Sequence, residues 1–288
     1  MASEHTRDRL LAGLPVAERR LELTGVSTAV LEGGDGPPMV LLHGPGEFAA
    51  GWLTVLPQLI RTHRVVVPDL PGHGASELIA GSLDTDGVLR WLGELIDATC
   101  QAPPVLVGRV IGGAIGARFA AAQSAQLDAL VLVDTLGLIP FVPEPRFGLA
   151  MHRFFGAPTA ASYERFMDFC TFDLDGVRAQ LGERWEPFAT YAVELAGNPS
   201  VQTALGGLIG QFAAAPIEPA ELARIDVPTS LIWGRHDLAT PLSVAESSGA
   251  RYGWPLYVVE NAGDDPALEQ PDAFVRALET ASAKVAVR

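Results

Sequence analysis

The stretch VLVGRVIGGAIGARF, Val105 to Phe119, runs a β-branched strand into a tight glycine and on into a glycine-rich helix start. Such a strand-to-helix bend raises one side chain at the end of a sheet, and a serine placed there serves as a nucleophile. Here the bend carries Val110, which has no atom able to attack a carbonyl. Cys100 and Cys170 lie far apart, with neither a disulfide framework nor metal-ligand spacing. No zinc-type cluster, P-loop or dinucleotide-binding glycine motif falls in the context it needs, so no metal and no cofactor is expected.

The elements that must position this bend can be read from apolar runs and turns. RRLELTG and STAVLEG alternate as two strands of a meander, with a turn at GDGPP. MVLLHG from Met39, RVVVPDL from Arg64, PVLVGRV and LDALVLVD from Leu127 are continuous apolar runs, as buried parallel strands require. Helices are expected near Trp52–Arg61, Leu83–Ala98 and Gly112–Ser124. This alternation predicts an α/β fold, a mostly parallel sheet with helices on both faces. It stops between residues 137 and 222, where helix-like periodicity carries many aromatics, among them Phe154 and Trp185. PTSLIWGRHD and PLYVVENA then restore strands, and a final helix is expected over Pro271–Lys284. The reading is a core of residues 1–136 and 223–288 with a helical lid, 137–222, inserted.

The chain has 288 residues, 48% hydrophobic and 19% charged, enough to bury a sizeable core. A net charge of −14 and a pI near 4.8 lack the basic footprint that nucleic acid requires. The charged start MASEHTRDRLLAGLP has no apolar signal region, and no apolar run is long enough to span a bilayer. The expectation is a cytoplasmic, small-molecule protein, monomer or homodimer, with no membrane partner.

Three further stretches, in order around the bend, carry a family resemblance: LLHGPGEFAAGW, PDLPGHGAS and ENAGDDPALEQP, the last running from Glu260 to Pro271. Together with GRVIG they resemble the α/β-hydrolase superfamily, in its branch of carbon–carbon bond hydrolases and lid-bearing esterases. The resemblance covers essentially the whole chain. It implies the α/β-hydrolase fold, with the nucleophile position at Val110, the acid at Asp237 in WGRHDLATP, and the base position at Asp264, where the family has histidine. It also implies two oxyanion donors. One is the Ile111 backbone N–H. The other belongs to the residue after His43-Gly44, here Pro45, which has none, leaving Gly46 as a substitute. Losing a triad serine or histidine lowers turnover by roughly 10⁶, so ordinary serine-hydrolase chemistry is not expected.

Other site residues admit two readings. Asp264 and Asp237 face each other in the family geometry and can share a proton as an acid/base pair. Alternatively Asp264 caps a turn, as Asp265 does. Arg109 either aims its guanidinium at a substrate oxygen or, more in keeping with its neighbours in the family, points away. His236 is expected opposite Asp237 by strand alternation. His43 and His73 read as braces for their loops. His152 faces a substrate from the lid or lies on the surface, and Glu47 is a pocket carboxylate or a loop charge. Gly44, Pro45, Gly46, Glu47, Arg109, Val110, His152, Phe154 and Trp185 form the expected binding set. Gly112, Gly113 and Gly116 let the helix approach the strands.

Three functions compete. The first is an enzyme that keeps the pocket but forms no acyl intermediate. It would join or rearrange C–C bonds of an apolar, aromatic or polyketide-like molecule in natural-product biosynthesis, by acid/base and oxyanion catalysis. The second is a non-catalytic small-molecule receptor or carrier. The third is a hydrolase with a relocated nucleophile or base, with Ser76, His152 and Cys170 as candidates.

Overall fold

A computed structural model describes residues 2–79 and 81–283. The strands are β1 (Ala17–Leu23), β2 (Val26–Gly33), β3 (Pro38–Leu42), β4 (Arg64–Pro68), β5 (Glu77–Leu78), β6 (Val105–Arg109), β7 (Ala129–Val133), β8 (Thr229–Gly234) and β9 (Leu256–Val259). They form one sheet in the order β1-β2-β4-β3-β6-β7-β8-β9, with the short β5 beside β2. The pairs β1–β2 and β2–β4 are antiparallel, and every pair from β4 to β9 along this order is parallel.

The parallel strands are mostly apolar because both faces are covered. The two-residue period sorts their side chains into two core layers. Met39, Leu41, Val65, Val67, Val107, Val131 and Ile232 point to one layer. Val40, Leu42, Val66, Leu106, Leu130, Leu132 and Leu231 point to the other. The helices are α1 (Ala2–Leu11), α2 (Leu56–Leu59), α3 (Thr85–Thr99) and α4 (Ile111–Gln123) before β7. Between β7 and β8 come α5 (Pro145–Gly156), α6 (Ala160–Cys170), α7 (Leu174–Leu181), α8 (Trp185–Ala196), α9 (Pro199–Phe212) and α10 (Pro219–Leu222). After β8 come α11 (Leu242–Tyr252), α12 (Pro266–Glu269) and α13 (Pro271–Ala283). Side-chain caps start several of them: Asp84 accepts the Gly87 N–H at 2.8 Å, and Thr159 with Ser162 closes a capping box on α6.

Two helix expectations need correction. The segment expected as one helix over Trp52–Arg61 is a 3₁₀ turn at Ala49–Trp52 followed by the short α2, whose second residue is Pro57. A proline cannot donate the bond that an unbroken helix needs there. The opening segment, read only as charged, folds as α1, and Arg7 pins it. Its guanidinium, almost wholly buried, meets Asp69 at 3.0 Å, Glu18 at 2.9 Å and the Tyr191 hydroxyl of α8 at 3.4 Å. The last helix is described to Ala283, and Lys284 lies outside the described residues.

Candidate active site

Val110 sits between β6 and α4 with φ 51° and ψ −109°. Positive φ is strained for any L residue and rare for a β-branched one. The strain is held from both sides: the Val110 N–H donates to the Val133 carbonyl at 2.9 Å, and its carbonyl accepts from Leu136 at 3.1 Å. Packing around the bend is close. A Cβ on Gly112 would come within 2.7 Å of the Leu42 carbonyl oxygen, and one on Gly108 would overlap the Gly112 carbonyl. These glycines therefore serve the close helix–strand approach read from the sequence.

Above the bend lies a cavity of about 480 Å³ between the sheet's carboxyl end and the helices that follow β7. Its upper wall is aromatic, with Phe141, Phe147, Phe154, Phe155, Tyr163 and Phe166 among its residues. Phe154 stacks on Phe166 with centroids 5.5 Å apart. Val110, Pro45, Gly46, Glu47, Arg109, His152 and Asp264, all expected in the site, line the same space.

Four expected site residues do not line it. Gly44 lies behind, its N–H spent on Glu47 at 3.0 Å. Ile111 turns its side chain into the opposite core layer, and as the first residue of α4 it offers only its N–H to the bend. Asp237 sits below Asp264 and accepts the Ala239 and Thr240 N–H groups at 2.6 and 2.9 Å. Trp185 stacks instead on Tyr163 at 6.2 Å and under the Arg178 guanidinium, on the far side of the aromatic layer. His236 is exposed and stacks on Phe172, whereas Asp237 is buried; the two lie in the turn after β8, so the turn and not strand alternation separates them. His43 braces its loop: it is fully buried, contacts the Gly44 carbonyl and accepts the Leu70 N–H at 3.0 Å.

Arg109 differs from the reading that it points away. It is 3% exposed and lines the cavity floor. One terminal nitrogen binds Glu47 and reaches Asp265 at 3.2 Å, and the other donates to the Asp264 carbonyl at 3.3 Å. The cause is strand period: Arg109 follows Val105 and Val107 on the same face, toward Trp52, over whose ring its guanidinium lies.

The acids separate into distinct roles. Asp265 caps α12 by accepting the Leu268 N–H at 3.0 Å. Asp264 caps nothing. Its backbone N–H donates to the Cys170 carbonyl at 2.9 Å, its carboxyl lies near the Cys170 thiol, and no hydrogen bond joins it to Asp237 among the described residues. The carboxyl beside Asp237 is instead Asp134, just past β7 at φ 43°, close enough for the two charges to act on each other. Its Oδ1 accepts the Gly234 N–H at 2.9 Å, and its buried Oδ2 has no hydrogen-bond donor among the described residues, a setting that favours a protonated carboxyl. The sequence reading missed Asp134. Its signal was an acid at the carboxyl end of a buried parallel strand, where open α/β sheets bind ligands.

Burial, reinforced by the nearby Asp237 charge, pushes the carboxyls of Asp264 and Asp134 well above the usual range. Burial also raises Asp237, to about 6, against the hydrogen bonds that Thr240 and Ala239 donate to it. Asp264 is therefore pushed toward its neutral, proton-bearing form where it opens on the apolar cavity. The Cys170 thiol is raised well above its usual value, first by burial and then by Asp264, and is no thiolate. Ser76 donates to the Asp69 carbonyl at 2.8 Å and accepts the Ala29 N–H at 2.9 Å, within the loop under the sheet end. No group of His, Cys, Asp and Glu among the described residues is arranged to hold a metal ion.

The chain belongs to the alpha/beta hydrolase family, whose model matches residues 39–277. It is 26% identical, over 90% of its length and 89% of the relative's, to the 2-hydroxy-6-oxo-6-(2'-aminophenyl)hexa-2,4-dienoic acid hydrolase of Metapseudomonas resinovorans. It is 30% identical, over 85% of its length and 94% of the relative's, to the pimeloyl-[acyl-carrier protein] methyl ester esterase of Chromobacterium violaceum. Its fold is also that of the 2-hydroxy-6-oxo-6-phenylhexa-2,4-dienoate hydrolase from a Rhodococcus strain, with a TM-score of 0.80, 23% identity and coverage of 92% and 98% of the two chains. These relatives are hydrolases. Among the described residues no helix is long and apolar enough to cross a membrane.

Proposed function

We propose that this chain is an enzyme of the hydrolase fold that works without a covalent intermediate on an apolar, aromatic or polyketide-like small molecule, with residues 137–222 as its lid. One observation carries the reading. The strained bend is kept, yet it presents the inert side chain of Val110 to an aromatic cavity, into which Asp264, its carboxyl pushed toward the neutral form by burial, also opens.

The chemistry follows from those parts. An acceptor carbonyl set over the start of α4 would take hydrogen bonds from the Ile111 and Gly46 N–H groups, which favour developing negative charge there. Asp264 then gives its proton to that oxygen as a nucleophilic enol carbon of the same substrate adds to the acceptor carbon. The enol oxygen returns its proton to Asp264, so atoms and charge balance without a co-reactant. The aromatic wall orients the two reacting carbons and excludes water. Additions, aldol-type cyclisations and isomerisations in natural-product biosynthesis fit this scheme. A relocated nucleophile fits less well, because Ser76 is spent on backbone bonds and Cys170 is held as a thiol.

The test is Asp264→Asn. A proton-transfer enzyme loses about 10²–10⁴ of its turnover, while ligand affinity moves less than about threefold. A receptor would show binding in both proteins and turnover in neither.

A further inference from the structure

Glu47 occupies an unusual place. It follows the loop His43-Gly44-Pro45-Gly46 and folds its carboxylate back beneath it. Its Oε2 accepts the Gly44 N–H at 3.0 Å and binds Arg109. A Cβ on Gly44 would lie 2.7 Å from Glu47 Oε1, so this glycine is what makes room for the carboxylate. The side chain is one-third exposed and lines the cavity, which leaves its remaining lone pairs available to a bound molecule.

Arg109 is the one cation among the cavity-lining residues that is buried at its floor, and its terminal nitrogens are committed to Glu47, Asp265 and the Asp264 carbonyl. Its Nε is sealed from solvent above Trp52. The floor thus shows an incoming ligand carboxyl groups with a cation already neutralised. An anionic ligand would meet like charge with no free donor fork. A hydroxyl donor would meet acceptors.

We infer that Glu47 selects ligands by charge: by holding Arg109 and the Gly44 N–H, it makes the cavity accept uncharged aromatic molecules bearing hydroxyl donors and refuse carboxylates. This rests on reading the cavity as the site of a flat apolar small molecule. It goes further in fixing the polar end of that molecule.

The experiment compares 2-naphthol and 2-naphthoate, which share a ring system and differ in the polar group. Each is titrated at neutral pH into the full chain, into Glu47→Gln and into Glu47→Ala, with binding followed by calorimetry and folding checked by thermal melting. The native protein is expected to favour naphthol by about tenfold or more. Both variants remove the Glu47 carboxylate and release Arg109 from one of its three partners, and they are expected to shift the ratio of affinities toward naphthoate by about tenfold or more. Two variants are used so that misfolding of one does not decide the outcome. Equal binding of both probes by the native protein, or an unmoved ratio in the folded variants, overturns the selector. If the native protein binds neither probe, the cavity reading falls and the selector with it. Loss of turnover in Asp264→Asn bears on neither result.

Discussion

Val110 combines two opposing contributions. Holding a β-branched residue at φ 51° costs about 1–2 kcal/mol, while its side chain, 5% exposed and packed on Leu136 and Ala213, returns about 1.5 kcal/mol or more through burial. Glycine at this position would lose the burial and relieve the strain. Val110→Gly is therefore expected to change unfolding free energy by no more than about 1 kcal/mol. Val107→Gly, in ordinary strand geometry three residues earlier and fully buried, should cost about 2 kcal/mol or more. Urea denaturation of both variants checks this, and similar losses at the two sites would show that the bend stores no strain. The bend was legible in the sequence because its glycines stand where backbone must touch backbone. Arg109 was left with two readings in the sequence, and the strand period decides between them: it lines the cavity, with its terminal nitrogens held by protein groups. Asp134 escaped notice because strands often end in aspartate, and only the fold brings Asp237 beside it.

The central strands were read from sequence with close boundaries, since each is a short apolar run that a doubly covered sheet demands. The run of helices between β7 and β8 was visible for the converse reason, a long stretch without any such run. What could not be read is how these helices are tied to the first helix and the sheet. α1 has a polar sequence with little amphipathic pattern, and it holds through Arg7, whose partners come from β1, from the loop after β4 and from α8. Asp69 also accepts the Ala49 and Ala75 N–H groups at 2.5 and 2.9 Å, so it remains a buried anion when Arg7 is removed. Arg7→Ala is expected to destabilise the protein by about 3–5 kcal/mol. The double variant Arg7→Ala with Asp69→Asn should recover part of that loss. A cost below about 1 kcal/mol in chemical denaturation would mean that α1 is not fastened in this way.

Across the whole molecule, the buried acids couple stability to pH. Asp237 moves from its usual 3.8 to about 6 on folding, and Asp134 and Asp264 shift in the same direction. A carboxyl raised in the folded state contributes its full stability below its unfolded value, and that contribution is lost as pH climbs through the folded value. The native chain should therefore become less stable from about pH 4 upward past pH 6, through these groups. Asp134→Asn keeps an acceptor for the Gly234 N–H and offers an amide donor to Asp237. It is expected to raise Tm at pH 8 by about 2–4 °C and to change it little at pH 4. A loss of equal size at both pH values would argue against a protonated carboxyl there.

The raised carboxyls of Asp134, Asp237 and Asp264 reach beyond this one corner of the structure. The formal charge of −14 counts each acid as ionised. A folded chain that keeps hydrogens on its interior acids carries fewer negative charges than that count, and unfolding releases them to the buffer. Isoelectric focusing should accordingly place the native form at a higher pH than the same chain in urea. Asp134→Asn, in which one of those acids is gone, should narrow the gap between the two bands.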